Sequence, residues 1–121
     1  PVRTANIRLD VDSDNAWRQW PNPAERPPKL LVNAITGAKG YERHQGSAMF
    51  RKPQFADRPV FASLPVDLFG DAATAAALKD AIAGKIVLIG ADLPEVDRFI
   101  TPFTRLSGKT TPGVELHAVL I

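Results

Sequence analysis

The sequence predicts an α/β fold in which strands are flanked by helices, with a β-hairpin near the N-terminus, and three segments indicate it. Residues 84–92 hold a short apolar, β-branched run between two glycines, which is typical of a strand buried on both faces. The alanine-rich residues 72–83 precede it and place Leu78 and Ile82 on one helical face. Residues 112–121 predict another helix. The order helix, strand, loop, helix indicates part of a layered α/β sheet.

The N-terminal residues predict the hairpin. Residues 6–11 alternate between apolar and polar side chains, as a half-buried strand does. Residues 12–15 are turn formers, and residues 16–20 are predicted to return as the second strand. An acidic pair, Asp12 and Asp14, also occurs in calcium loops, but the glycine and glutamate that such loops need at positions six and twelve are absent. A turn is therefore predicted instead.

The central residues give weaker signals. Residues 21–28 contain four prolines, which predicts an irregular, extended connection. The apolar residues 29–35 fit either a short helix or a strand, and periodicity does not separate the two. Residues 36–47 are rich in glycine and charge and are predicted to be a loop.

Between this loop and the alanine-rich helix, short elements are predicted. Residues 48–50 and 60–64 fit short strands, and residues 65–69 fit a helical turn. Asp71 can cap the start of the helix that follows, and Gly84 can close its end.

Composition excludes several classes of function. The chain has 121 residues, which suits a single domain, and a net charge of +2 without the dense basic stripe that nucleic-acid binding requires. It has no cysteine, so disulfides, thiolate metal sites and cysteine catalysis are excluded within it. We expect no metal and no cofactor. No run of 18 apolar residues occurs, but the sequence stops in the apolar run 118–121, so we expect a fragment of a longer protein.

An acidic cluster follows the predicted strand. Asp92, Glu95 and Asp97 lie in the loop after it, and ligands of open α/β sheets bind beyond the carboxyl ends of strands. The favoured interpretation is structural: Asp97 folds the loop back by accepting from backbone amides or by pairing with Arg98 or Arg105. Nucleotide binding is not predicted, because it requires several glycines after the strand and only Gly90 is present. Gly90 is expected to allow a sharp turn off the strand.

His117 is the other candidate group in this half of the chain. It is predicted to be a buried, hydrogen-bonded residue of the last helix rather than a base or a ligand. Thr111 is expected to cap that helix, with Pro112 at its first position. A second hypothesis is a small α/β hydrolase-like enzyme that uses Asp97 and His117, although no G-x-S-x-G elbow is present.

Together these segments resemble a known sensor family. The run G-K-I-V-L-I-G-A at 84–91, then Asp97, then T-P at 101–102, then P-G-V-E-L-H-A at 112–118 is similar to the closing signature of the CHASE domain of the second type. Leu116 replaces the usual isoleucine. Residues 6–20 are similar to the family's strand, turn and arginine-bearing strand, whereas residues 21–58 match its pattern poorly.

The resemblance implies the C-terminal half of an extracytoplasmic, periplasmic or extracellular sensor domain of a bacterial membrane receptor, with residues 1–121 as one fragment and without catalytic activity. It implies that a transmembrane helix follows Ile121 and leads to a cytoplasmic output domain, such as an adenylate or diguanylate cyclase or a histidine kinase. The expected partners are an unknown small-molecule or protein stimulus and a second copy in a homodimer, with no nucleic acid. The candidate ligand-binding or signalling residues are Asp97, Thr101, Pro102, Gly113, Glu115 and His117.

Overall fold

The computed structural model describes residues 5–21, 30–37, 46–53 and 58–121. Within these residues, helices accompany a two-stranded antiparallel sheet, so the predicted mixed α/β class is confirmed. The chain divides into two compact units. Unit 1 comprises Pro1–Arg51 and Gly90–Ile121, and unit 2 comprises Lys52–Ile89.

Of the helices and strands in the described residues, most belong to unit 1. Its helices are α1 (Leu31–Thr36), α3 (Thr104–Ser107) and α4 (Gly113–Leu120). Strand β1 (Arg98–Phe99) pairs antiparallel with β2 (Thr111–Pro112), so the chain returns on itself directly before α4. For residues 29–35, where the sequence allowed two structures, the outcome is the helix α1.

The predicted reversal near the N-terminus is confirmed. The amide of Asn15 donates to the Asp12 carbonyl at 2.9 Å, and the amide of Asp12 donates to the Ala16 carbonyl at 2.9 Å. The flanking residues form isolated bridges instead of a regular two-stranded ladder: Ala16 pairs with Ile100 and Gln19 with Ser47. The turn is therefore present, but beyond it the described arms pair with distant segments and not with each other, so the predicted two-stranded hairpin does not form.

The core of unit 1 lies between α4, α1 and the arm that follows the N-terminal turn. Its buried residues are Trp17, Val32, Ala48, Leu116 and Leu120. Leu116 and Leu120 are four residues apart and thus share one face of α4, which packs against α1. Trp17, which is fully buried, meets the ring of Phe50 edge-on, with the ring centroids 5.5 Å apart. The core thus holds α4 by its apolar face.

Unit 2 begins with a 3₁₀ helix (Val66–Gly70), close to the predicted helical turn, and continues into α2 (Ala72–Ile82). The predicted cap is confirmed: the Asp71 carboxylate accepts from the Thr74 amide and from the Thr74 hydroxyl, each at 2.7 Å. These bonds, the hydroxyl first, lower the pKa of Asp71. Gly84 follows the helix with φ of 71°, the left-handed conformation that favours glycine.

The predicted buried strand at residues 85–90 is wrong for this chain. Among the described residues these positions form no strand, and Ile86, Val87 and Ile89 are 58%, 53% and 84% exposed. Burial on both faces requires neighbouring strands and covering helices, which the described segments do not supply. Residues 60–64 likewise form no strand.

Other predictions fall on residues that the structure does not describe. The proline-rich connection at 21–28 lies outside the described residues except for Pro21, and the loop at 36–47 lies mostly outside them.

The predicted half-buried strand at residues 6–11 is wrong, because Ile7 and Val11 are 65% and 44% exposed and the residues form no strand. No helix within the described residues is long and apolar enough to cross a bilayer.

Candidate functional site

The candidate site surrounds the first half of α4. We call Gly90, Asp97, Gly113, Val114 and His117 the α4 junction. Gly90 and Asp97 reach α4 from the loop that precedes β1, and the other three residues belong to the helix itself.

Asp97 lies over the start of α4. Its carbonyl accepts from the Gly113 amide at 3.1 Å. A Cβ on Gly113 would lie 2.9 Å from Cγ and from Oδ2 of Asp97, and closer still to Oδ1, so any larger residue would displace the Asp97 carboxylate. A carboxylate at this end of a helix is stabilised by the unpaired amides and the helix dipole. The Asp97 backbone carbonyl, and not the side chain as predicted, therefore accepts the amide, while the carboxylate complements the helix start.

Two expectations at this position are wrong. Thr111 does not cap α4, because it belongs to β2, and Pro112 occupies the N-cap position with no side-chain hydrogen bond. Arg98 pairs with Asp92 instead of Asp97. Its Nε and Nη2 donate to the two Asp92 oxygens at 2.9 and 2.7 Å, and its Nη1 donates to the Thr110 carbonyl at 2.9 Å. Arg98 thus ties both ends of the loop at residues 91–111 together.

Gly90 allows its backbone to approach the side chain of Val114 closely. A Cβ at this position would lie 2.6 Å from Cβ and 2.8 Å from Cγ2 of Val114. The φ angle of Gly90 is not among the positive values of this chain. The glycine is therefore needed to let the segment pass against α4, and the expected sharp turn off a strand is not its reason.

His117 connects α4 to the N-terminal segment. Its Nε2 lies 3.0 Å from the carbonyl oxygen of Ile7, a residue 110 positions away. Since a carbonyl can only accept, Nε2 carries the proton. Burial lowers the pKa of His117, and the bond to Ile7 and the nearby Asp97 charge oppose that shift in part. His117 is therefore a hydrogen-bonded residue of the last helix, as predicted, and its ring is half-buried and not fully buried.

The remaining predicted residues are dispersed. Thr101 is buried, and its amide donates to Oγ1 of Thr104 at 2.9 Å at the start of α3. Pro102 and Glu115 are exposed. Asp97, Gly113 and His117 thus gather at the α4 junction, whereas Thr101 shapes the loop and the other two residues face solvent.

A second polar cluster lies at the N-terminal turn. Arg18 donates through Nη1 to Asp12 at 2.8 Å and to Asp14 at 2.8 Å, and through Nη2 to Asp14 at 2.6 Å. These bonds hold the pKa of Asp14 well below its usual range and raise the pKa of Arg18. The family resemblance included these three residues, but the candidate set did not. Their pairing could not be inferred from spacing, because residues 12–18 form a turn and not a helix in which residues four apart are neighbours.

The geometry disfavours the hydrolase alternative. Within the described part of the chain, no hydrogen bond joins Asp97 to His117, and Nε2 of His117 already donates to the carbonyl oxygen of Ile7. A base and its orienting carboxylate need such direct contact. No group of three or more histidine or acidic side chains among the described residues is placed to hold a metal ion.

The fold and the site therefore define a mixed α/β domain built to hold a helix by its first turns. The family model described as the CHASE2 domain matches residues 2–121, and the chain belongs to this family. CHASE2 domains are extracytoplasmic sensory domains, so the chain has a sensory role. The match includes residues 21–58, which the short motifs did not cover. Comparisons with curated proteins and with solved structures gave no match.

Proposed function

We propose that this chain is the signal-input part of a bacterial membrane receptor and that α4 is the element that relays the signal. The observation that carries this proposal is the α4 junction. Two segments distant in sequence meet the first five residues of α4: the loop before β1, through residue 90 at Val114 and residue 97 at Gly113, and the N-terminal segment, through residue 7 at His117. A displacement of any of these contacting residues therefore acts on the same short helix.

The proposed mechanism is mechanical. A stimulus binds one packing of unit 1 more tightly than another, and only that difference in affinity can shift the equilibrium. Helix α4 has eight residues, so it is about 12 Å long and moves as a rigid rod. In this proposal a transmembrane helix continues from α4 and carries its shift to a cytoplasmic cyclase or kinase of the same polypeptide.

We also propose that the chain is the C-terminal half of the sensor domain. The support is the apolar run at residues 86–89, whose side chains suit a central strand yet are largely exposed. Exposed apolar runs of this kind are normally covered in the complete protein. The stimulus, a small molecule or a protein, and a homodimeric receptor remain part of the same proposal.

The extracytoplasmic position can be tested by cysteine labelling, because the chain contains no cysteine. Leu106 is 83% exposed, whereas Ala16 is 1% exposed. In the full-length receptor, with cysteines elsewhere replaced, Leu106→Cys should react with a membrane-impermeant maleimide in cells whose outer membrane is permeabilised and whose inner membrane is intact. Ala16→Cys should react only after denaturation. Labelling of Leu106→Cys only after the inner membrane is lysed would overturn the assignment.

The relay can be tested at Asp97. Asp97→Ala should weaken the start of α4 by about 0.3–1 kcal/mol, because the helix loses the carboxylate at its positive end. We expect faster hydrogen exchange in residues 91–116 and a reduced receptor response. Glu95→Ala is the matched control, since Glu95 is an exposed acid in the same loop. Unchanged exchange together with an unchanged response would remove Asp97 from the relay.

A further inference from the structure

Trp17 is joined to the loop at residues 91–111 by its backbone and by its ring. Its amide donates to the Ile100 carbonyl at 2.7 Å. Its ring meets Phe50 edge-on, and Phe50 meets Phe103 in the same way, with centroids 5.5 Å apart in each pair and interplanar angles of 80° and 76°. Since Ile100 and Phe103 are three residues apart, both connections from Trp17 end in the same short segment.

Hydrogen bonds fix the shape of that segment and attach it to α3. The Thr104 amide donates to the Thr101 carbonyl at 3.0 Å, and the Thr101 amide donates to Oγ1 of Thr104 at 2.9 Å. The Phe103 carbonyl accepts from the amides of Leu106 and Ser107 at 3.0 and 2.9 Å. The Phe103 ring is therefore carried on the start of α3 and moves with this helix.

The other end of the connection is α4. Trp17 is fully buried and lies in the core cluster with Leu116 and Leu120, which anchor the apolar face of α4. Phe50 packs against this cluster, and Phe103 reaches the cluster through Phe50. Protein interiors have few voids and low compressibility, so a shift of one ring displaces its neighbours.

We propose that Trp17, Phe50 and Phe103 form an aromatic bridge that couples α3 to α4, so that a displacement of α3 changes how Leu116 packs. Helix α3 is accessible from outside, because Leu106 is 83% exposed. The bridge reaches the apolar face of α4, whereas the α4 junction holds its start. Only the use of this coupling for signalling rests on the function proposed above.

The rings suit this task because their mutual orientation is specific. In an edge-to-face pair the positive edge of one ring meets the negative face of the next, so turning one ring affects the preferred position of the other. Each such pair changes an equilibrium constant about two- to twelve-fold beyond the effect of its buried area. An aliphatic side chain at Phe103 keeps an apolar contact but loses this directional term, which makes Phe103→Leu the variant of choice.

The test is hydrogen exchange of the 121-residue chain, followed by NMR without denaturant. In Phe103→Leu, the amides of Leu116 and Leu120 should exchange about two- to twelve-fold faster, because one ring pair is lost. Leu106→Ala is the matched control, since Leu106 lies on the same short helix but outside the bridge. It should leave the exchange of both α4 amides unchanged.

The indole N–H of Trp17 gives a second reading. Nε1 is buried and has no hydrogen-bond partner among the described residues, so its resonance reports mainly on the rings around it. Phe103→Leu should shift this resonance, because Phe50 turns when its outer partner is lost. Leu106→Ala should not shift it. This reading needs only the two single variants.

A double-mutant cycle tests the route. Phe50→Leu interrupts the aromatic bridge at its centre, so adding Phe103→Leu should cause no further change in the exchange of the α4 amides. Non-additivity of this kind is the measure of coupling between residues in one network. Fully additive effects would instead assign Phe50 and Phe103 separate packing roles.

Three results would overturn the proposal. The first is unchanged exchange of α4 together with an unshifted Trp17 indole resonance in Phe103→Leu. The second is equal acceleration of every slowly exchanging amide of unit 1, which would indicate a loss of global stability instead of coupling to α4. The third is additivity in the cycle. None of them bears on the membrane position or the Asp97 relay, so failure of the bridge is distinguishable from failure of the proposed function.

Discussion

Replacing Trp17 with alanine should lower the free energy of unfolding of unit 1 by about 3–5 kcal/mol, the range observed for truncation of large buried aromatic residues. Trp17 is fully buried and lies in the core cluster with Leu116 and Leu120, which anchor α4. It also meets Phe50 edge-on, and such ring pairs add about 0.5–1.5 kcal/mol beyond their buried area. Domains of this size are stable by only about 5–15 kcal/mol, so the variant should be close to unfolding.

The measurement is a urea titration followed by far-UV circular dichroism, with hydrogen exchange of α4 as the local reporter. Trp17→Phe is the matched control. Nε1 of Trp17 is buried with no hydrogen-bond partner among the described residues, so phenylalanine keeps much of the ring and leaves no partner unpaired. We expect Trp17→Phe to lose less than half as much stability as Trp17→Ala. A loss below about 1 kcal/mol for Trp17→Ala would contradict the core assignment, because that is a typical cost for an unremarkable substitution.

Replacing Gly90 with alanine should destabilise unit 1 by about 1–3 kcal/mol, the usual cost of forcing an extra methyl into a packed contact. The new Cβ would lie 2.6 Å from Cβ and 2.8 Å from Cγ2 of Val114. A β-branched side chain in a helix has one strongly preferred rotamer, so Val114 cannot turn away. Either the loop or the start of α4 must move, and in a receptor this should change the output without a stimulus.

Gly70→Ala is the control for the general effect of a glycine replacement, since no heavy atom lies within 4 Å of its new Cβ. It should change stability by no more than about 0.5–1 kcal/mol. Val114→Ala in the Gly90→Ala background should restore part of the loss, because it removes the two Cγ atoms but leaves the Cβ contact. In a double-mutant cycle from thermal or urea unfolding, the double variant should lose less stability than the sum of the losses of the two single variants. Equal losses for Gly90→Ala and Gly70→Ala would refute the close approach.

Local chemistry was readable from the sequence alone. The helix at residues 72–83 was predicted because its alanines, its Asp71 cap and the glycine after it act within a few residues, and α2 with its Thr74–Asp71 bonds confirms them. The turn at residues 12–15 was predicted for the same reason. The family signature, which is a pattern of residue identities and spacings, was also sufficient to indicate the sensor class that the family match supports.

Contacts between distant residues were not readable. No spacing in the sequence indicates that Gly90 must pass Val114, that Ile7 binds His117 across 110 residues, or that Arg98 selects Asp92 over Asp97. Each of these depends on where whole segments lie after folding.

The apolar run at residues 86–89 shows both what local sequence predicts and what it does not. Its composition determined that it suits the interior of a sheet, since β-branched side chains pack well there. Whether it is covered depends on neighbouring strands, and the described segments of this chain leave it open. Residue identity thus determined the preferences of each segment and the family, while the tertiary structure decided the partners, because pairing and burial are properties of two surfaces rather than of one.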